Sequence, residues 1–261
     1  MLFHQSRCCG KAVHGGAPPV IHFVMPAFNE ETGAPGVCRA VCAQAEALDG
    51  APAFRIGVVD DGSTDATAAR ISELARADAR VELLSHPANR GVPRAFRTGL
   101  EWALRGAGQG DIVVMLEADM TSDPALIPAL VRAVQSGADA AVASRMIPGG
   151  AYIGFPPLRE FLSRAGNRLL RARYRVPGVS DYTMFYRAYR ADALRRALER
   201  PGGLFRGRGF AVNARLLVRL HRHGARFTEI PHKYRYNLKL GPSKMDLLAN
   251  ILIYGIALLK P

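Results

Sequence analysis

Five short runs rich in β-branched and apolar residues, at 20–25, 54–59, 81–85, 112–116 and 138–143, alternate with Ala-, Leu- and Arg-rich segments at about 36–49, 65–77, 94–106 and 124–136. Strand and helix periodicities exchanged in this order leave few architectures open. They predict an α/β fold with a mostly parallel, Rossmann-like sheet covered by helices on both faces. The 261 residues, 49% of them hydrophobic, are enough to bury such a core and exclude disordered or collagen-like chains.

In sheets of this kind ligands lie beyond the carboxyl ends of the strands, so the residues just after each strand are the ones to inspect. The first run is followed by Pro26-Ala27-Phe28-Asn29-Glu30 and the second by Asp60-Asp61-Gly62-Ser63-Thr64-Asp65. Glu117-Ala118-Asp119 follows the fourth, and Ser144-Arg145 the fifth. Each cluster taken singly fits a helix cap or turn, and Asp123-Pro124 has the form of a cap. Together they put carboxylates and an arginine on one rim. In extended backbone Glu117 and Asp119, at i and i+2, project to one side and can share a hard divalent cation such as Mg2+ or Mn2+ with substrate phosphates. No phosphate-loop glycine signature follows a strand.

Charge divides the chain. Residues 1–144 carry 12 Lys/Arg against 16 Asp/Glu, net −4, whereas residues 145–261 carry 23 against 6, net +17. The second half is therefore suited to an anionic partner: phosphates, a lipid surface or nucleic acid. It holds no recognisable nucleic-acid-binding motif, which argues against the last. Past Arg145, Pro148-Gly149-Gly150 and Pro156-Pro157 break the chain. A basic helix at 158–174, a strand at 182–186, helices at 191–199 and 210–223, a strand at 226–230 and a last helix from Ser243 are expected. That last helix has an apolar face suited to a membrane interface or to packing on the domain. Its apolar run is about 13 residues, short of a bilayer span. Residues 1–19 read as a flexible tail without a targeting signal. The cysteines Cys8, Cys9, Cys38 and Cys42 form neither a metal-finger pattern nor a disulfide framework, which fits a reducing, cytoplasmic setting.

Taken in order, Pro26 to Glu30, Val58-Val59 with Asp60 to Asp65, Asn89-Arg90-Gly91, Glu117-Ala118-Asp119 with Asp123-Pro124, and Ala143-Ser144-Arg145 resemble the motif series of family 2 glycosyltransferases with the GT-A fold. Asp181-Tyr182-Thr183, Arg187-Ala188-Tyr189, Gly209-Phe210-Ala211, Glu229-Ile230-Pro231 and Gly241-Pro242-Ser243-Lys244 are similar to the dolichol-phosphate mannosyltransferase branch. The resemblance runs from about 20 to 245, with the GT-A domain expected over 20–242 and the terminal helix over 243–261. It implies an inverting, metal-dependent hexosyltransferase, peripheral on the inner face of the membrane, that moves mannose or glucose from a GDP- or UDP-hexose to a polyprenyl phosphate. Other acceptors, or a sugar-nucleotide-binding relative without turnover, are the alternatives.

The resemblance also implies site residues. Pro26, Phe28, Glu30, Asp60 and Asp61 would hold the nucleotide, and Glu117 and Asp119 stand where the family has its Asp-x-Asp metal motif. Arg145, with Arg159 or Arg164 on the basic helix, would face phosphate oxygens, with Asp181 among the binding residues. Ser243 and Lys244 would close over the donor diphosphate or acceptor phosphate. The chain departs from the pattern at Glu117, one methylene longer than Asp, at Met184-Phe185 in place of Ser-Gly, and at Arg215 where an acid is usual.

Overall fold

A computed structural model describes residues 19–199, 203–205 and 211–239. Most of loop 201–209, the leading tail, the Ser243-Lys244 motif and the terminal helix expected from Ser243 lie outside the described residues.

The first half alternates as the pattern predicts. Strands β1 (Ile21–Ala27), β2 (Phe54–Asp60), β3 (Val81–Ser85), β4 (Ile112–Met115) and β5 (Ala140–Ser144) are separated by helices α1 (Gly33–Glu46), α2 (Thr67–Ala77), α3 (Val92–Gly106) and α4 (Ile127–Gln135). There follow β6 (Ala151–Ile153), α5 (Pro157–Tyr174), β7 (Arg187–Arg190), α6 (Ala191–Leu198), α7 (Ala211–Arg222), β8 (Phe227–Pro231) and β9 (Lys233–Arg235). The main sheet has the order β3-β2-β1-β4-β7-β5-β8, and β6 pairs with β9 in a small second sheet. Strand β7 runs antiparallel to both β4 and β5, and the other pairings of the main sheet are parallel.

Both faces of the sheet are apolar, as a helix-covered parallel sheet requires. Side chains alternate between two cores. Ile21, Phe23 and Met25 of β1 and Ile112 and Val114 of β4 join α1 and α4 residues such as Val37, Val41, Leu130 and Val131. Val24, Val113 and Met115 face the other way, onto Phe96 and Leu100 of α3, Leu194 of α6 and Leu216 of α7. Pro26 lies past the last β1–β4 pair, Val24 with Met115, where the ladder between them has ended.

One strand is shifted from its predicted place. Residues 182–186 are apolar and aromatic enough to read as a strand, yet the ladder begins at Arg187. The backbone before it is satisfied by side chains instead. Asp181 N–H donates to Glu229, Tyr182 N–H to Asn167 and Met184 N–H to Asp181, while Tyr182 C=O accepts from Arg187 and Thr183 C=O from Asn213. With those groups taken, no neighbouring strand is needed. Asp181 thereby sits in a fixed loop at the carboxyl end of β5.

Candidate active site

The loops after β1 and β2 clasp each other. Asn29, at φ 53°, donates its N–H to Ser63 Oγ (2.8 Å) and accepts from Thr64 N–H (2.8 Å). Glu30 N–H donates to Thr67 Oγ1 (2.8 Å), and Glu31 Oε2 accepts from Ala66 N–H (2.9 Å). These bonds span more than thirty residues of sequence and set the two motifs side by side. Asp65 lies one residue before Ala66, the N-cap of α2, and accepts from Thr67 N–H at 2.9 Å in a local turn.

Asp60 and Asp61 are both buried, but their carboxylates differ in what they face. Asp61 Oδ1 accepts from His86 Nδ1 (2.6 Å) and Arg90 N–H (3.0 Å), and Oδ2 accepts from Gly91 N–H (2.8 Å). Its lone pairs therefore organise the Asn89-Arg90-Gly91 loop. Asp60 Oδ1 has the single weaker partner Ser63 N–H at 3.2 Å. Gly62 between that pair and Ser63 has φ 68°, and a Cβ there would lie 2.3 Å from Ala88 C and 2.5 Å from Asn89 N. A side chain cannot be added without moving the loop that Asp61 holds. Gly62→Ala is expected to cost about 1–3 kcal/mol in a denaturant melt.

The acidic pair comes next. β4 ends at Met115, and Glu117 and Asp119 follow it on a turn packed against the start of α1, where a Cβ on Gly33 would meet Ala118 O at 2.9 Å. Burial and the neighbouring Asp119 push the Glu117 carboxyl up to about 7 from 4.5, and Ser122 hydroxyl donates to its Oε2. Asp119 Oδ1 accepts from Thr121 N–H at 3.2 Å, and Oδ2 is ion-paired with Lys239 Nζ. Burial works against the Lys239 charge, but Asp119 more than offsets it and raises the amine, with Glu30 and Glu117 adding to the effect. Three acids from two strand ends thus converge on one lysine. Among the described residues no set of three or more His, Cys, Asp or Glu side chains forms a closed metal cage. Two repelling carboxylates that need further oxygen ligands suit a hard divalent cation completed by phosphate.

Because folding raises the Glu117 pKa, the native state keeps this proton to higher pH than the unfolded chain. The associated stability is present in full below about pH 4.5 and is lost as pH rises through about 7. With a chelator present, the thermal midpoint of the wild type is expected to fall over that window, and Glu117→Gln to fall less. Parallel melts from pH 4.5 to 8 check this.

Arg145 follows β5 and is buried. Its Nε donates to Asp181 Oδ2 and its Nη2 to Asp181 Oδ1, both at 2.8 Å, and Nη2 also donates to Thr183 Oγ1 at 2.7 Å. Two parallel bonds make the strong fork geometry. Burial opposes the Asp181 charge, but Arg145 prevails and holds the carboxyl down at about 2. The guanidinium lies 4.9 Å from the ring centroid of Tyr152 and 5.6 Å from that of Tyr234, a pair set opposite each other in the β6–β9 register. Tyr234 in turn feels the charges of Glu117 and Asp119 as well as Arg145. The acidic pair and the arginine therefore face one cleft at the carboxyl end of the sheet.

Residues 22–198 match the family described as Glycosyl transferase family 2. The chain is a family 2 glycosyltransferase. Its similarity to the undecaprenyl-phosphate mannosyltransferase of Micrococcus luteus is 33% identity over 216 residues, covering 80% of this chain and 85% of that one. To the polyprenol monophosphomannose synthase of Mycolicibacterium smegmatis it is 32% over 224 residues, 85% and 80% of the two chains. The crystal structure of glucosyl-3-phosphoglycerate synthase from Mycobacterium tuberculosis, in complex with Mn2+, UDP and glucosyl-3-phosphoglycerate, shares the fold. It superposes with a TM-score of 0.63 and 22% identity, over 92% of this chain and 78% of that one.

As a family 2 glycosyltransferase, the chain gathers most of the residues that its motifs single out. Glu30, Glu117 and Asp119 act on Lys239, Arg145 acts on Glu117, and Asp60 ends β2 at the same end of the sheet. Arg159 donates to Tyr236 Oη at 3.1 Å. Arg164, half exposed, is paired with Glu160 and lies 5.1 Å from the Tyr152 ring. Lys239, Tyr152 and Tyr234 were not singled out by the motifs. Of the three only Tyr234 has a local signal, the alternation Lys233-Tyr234-Arg235-Tyr236, basic and aromatic at period two, as on a short strand.

Proposed function

We propose that this family 2 glycosyltransferase moves one hexosyl group from a nucleoside-diphosphate sugar to a polyprenyl phosphate, with inversion, at the inner face of the membrane. The observation that carries the reading is the single cleft in which Glu117, Asp119 and Lys239 oppose the Arg145–Asp181 fork, in a chain with polyprenyl-phosphate mannosyltransferase relatives over four-fifths of its length. Phe28, Glu30 and Asp60, with Pro26 setting the loop, contact the nucleotide, whether GDP or UDP. Asp61 serves that contact by holding the Asn89-Arg90-Gly91 loop. Lys239 releases Asp119 Oδ2 as the donor diphosphate enters and then neutralises phosphate charge. Glu117 and Asp119 would hold Mg2+ or Mn2+, which when bound offsets the charge developing on the diphosphate.

A lipid monophosphate has a second pKa near ~6, so it attacks the anomeric carbon as a dianion and needs no general base. What it needs is position. Arg145, rigid between two tyrosines, and Arg159 or Arg164 from α5 supply the cationic side of the cleft. Mannose is the sugar favoured by the relatives, with glucose the second possibility. The test is a panel of labelled GDP- and UDP-hexoses incubated with polyprenyl phosphate and Mg2+ or Mn2+. Label extracted into organic solvent supports the reading; label found only on water-soluble acceptors contradicts it.

A further inference from the structure

Arg187 opens β7, the antiparallel strand between β4 and β5, and is paired with Met115 on one side and Val142 on the other. Because β7 runs against its neighbours, its first residue lies where theirs end, at the end of the sheet that carries the cleft. A position so central is ordinarily apolar. Here it holds a guanidinium that is 1% exposed. Its hydrogen bonds run to carbonyls. Nη1 donates to Asn213 C=O of α7 at 2.9 Å and Nη2 to Tyr182 C=O at 2.9 Å, with Asp181 C=O 3.5 Å from the same nitrogen.

Holding carbonyls does not require a charge. The Asn213 amide holds Thr183 C=O at 3.3 Å without one. A buried cation, in contrast, has to be offset by an anion. The carboxylate that feels Arg187 is Asp181: burial raises that carboxyl, and Arg145 first and Arg187 after it bring it down to about 2. Asp181 is also the counter-charge of Arg145, so one carboxylate serves two buried guanidiniums. Neighbouring groups do not alter the count. Glu229 accepts from Asp181 N–H at 2.8 Å, but its carboxylate lines a cavity with Arg168, Arg171 and Arg175, which outnumber it. His232, buried between the rings of Tyr186 and Tyr234, is pushed down to about 4 by burial and then by Arg145, and is uncharged at neutral pH.

We propose that Arg187 is a positioning residue for the acceptor phosphate: behind the fork it shares Asp181 with Arg145, so that the cleft keeps one unneutralised positive charge for a phosphate dianion. An Arg145–Asp181 pair alone is neutral and attracts a dianion weakly. With Arg187 the same rigid fork carries a net charge, fixed before the substrate arrives. The proposal rests on the polyprenyl phosphate reading, because that acceptor is the dianion in question.

The test is binding of a labelled short polyprenyl phosphate in detergent to the full chain, without donor. The wild type is expected to hold this phosphomonoester at least about tenfold more tightly than its methyl diester, which has a single charge. Equal affinities overturn the proposal without any variant. Arg187→Gln keeps an N–H donor and removes the charge, whereas Arg187→Lys keeps the charge and loses the fork. Both are expected to lower the thermal midpoint. Only Arg187→Gln is expected to weaken binding of the phosphomonoester, by at least about tenfold, and to raise the acceptor KM by the same factor with donor KM and kcat close to wild type. A merely structural role would make affinity follow the midpoint in both variants. Arg187→Gln with wild-type affinity, or a folded Arg187→Lys that loses as much affinity as Arg187→Gln, overturns the proposal. If the wild type transfers hexose to polyprenyl phosphate while Arg187→Gln binds it normally, only the role of Arg187 is refuted. A wild type that neither binds nor glycosylates polyprenyl phosphate refutes the acceptor reading, and the proposal with it.

Discussion

Asp119→Asn lowers hexosyl transfer by about two to three orders of magnitude while the protein stays folded. The substitution keeps the shape of the side chain and removes the charge that Lys239 now neutralises and that a divalent cation with its diphosphate would require. Asp119 and Lys239 each keep 13% of the side chain exposed, and Glu30 and Glu117 still act on the lysine when Asp119 loses its charge. The thermal midpoint is therefore expected to move little. Donor titrations with and without Mn2+ separate the effects: affinity for free nucleotide is preserved, and its enhancement by metal is lost. An unchanged transfer rate in this variant would remove the acidic pair from the chemistry.

Asp181→Asn is expected to have the largest effect on stability. Its carboxylate accepts from Arg145 Nε and Nη2, from the Arg145, Thr183 and Met184 N–H groups and from Thr183 Oγ1. Removing its charge leaves a buried guanidinium without a counter-charge, at a cost of about 3–5 kcal/mol. That is a large fraction of the ~5–15 kcal/mol by which a domain is stable. Arg145→Met in the same chain is expected to recover part of the loss, because it removes the orphaned charge; a denaturant-melt cycle over the two sites measures the coupling. The sign with pH is also set. Since Asp181 is held at about 2, its contribution is present above about pH 4 and disappears as pH falls through about 2.

How far the sequence reaches can be seen residue by residue. The strand–helix alternation places β1 to β5, and the polar residues after them do lie at one end of the sheet, because a parallel sheet puts every such turn on the same side. Asp123 acts as a cap, as its place before Pro124 indicates. Local pattern fails where a partner is distant in the chain. Nothing near Asp61 announces that His86 and the Arg90 and Gly91 amides will take its lone pairs. Asp181 and Arg145 are 36 residues apart, and each reads as a phosphate or nucleotide contact until the fold joins them. The aromatic run after Asp181 has strand propensity, but side chains from α5, α7 and β8 occupy its backbone, so tertiary hydrogen bonding overrides propensity. Lys239 belongs to no local motif. It finds Asp119 across 120 residues because the β9 segment returns along the cleft.

In the proposed reaction the carboxylates ending β4, with Lys239 beside them, receive the donor's diphosphate, and the Arg145 fork stands on the facing wall. Crystals grown with Mn2+ and a nucleoside diphosphate, measured at a wavelength where manganese scatters anomalously, test it most directly. A manganese peak is expected beside Asp119, shared with the diphosphate oxygens, with Lys239 moved off that carboxylate onto phosphate. A diphosphate bound away from Glu117 and Asp119, with the Lys239–Asp119 pair still closed, would contradict it.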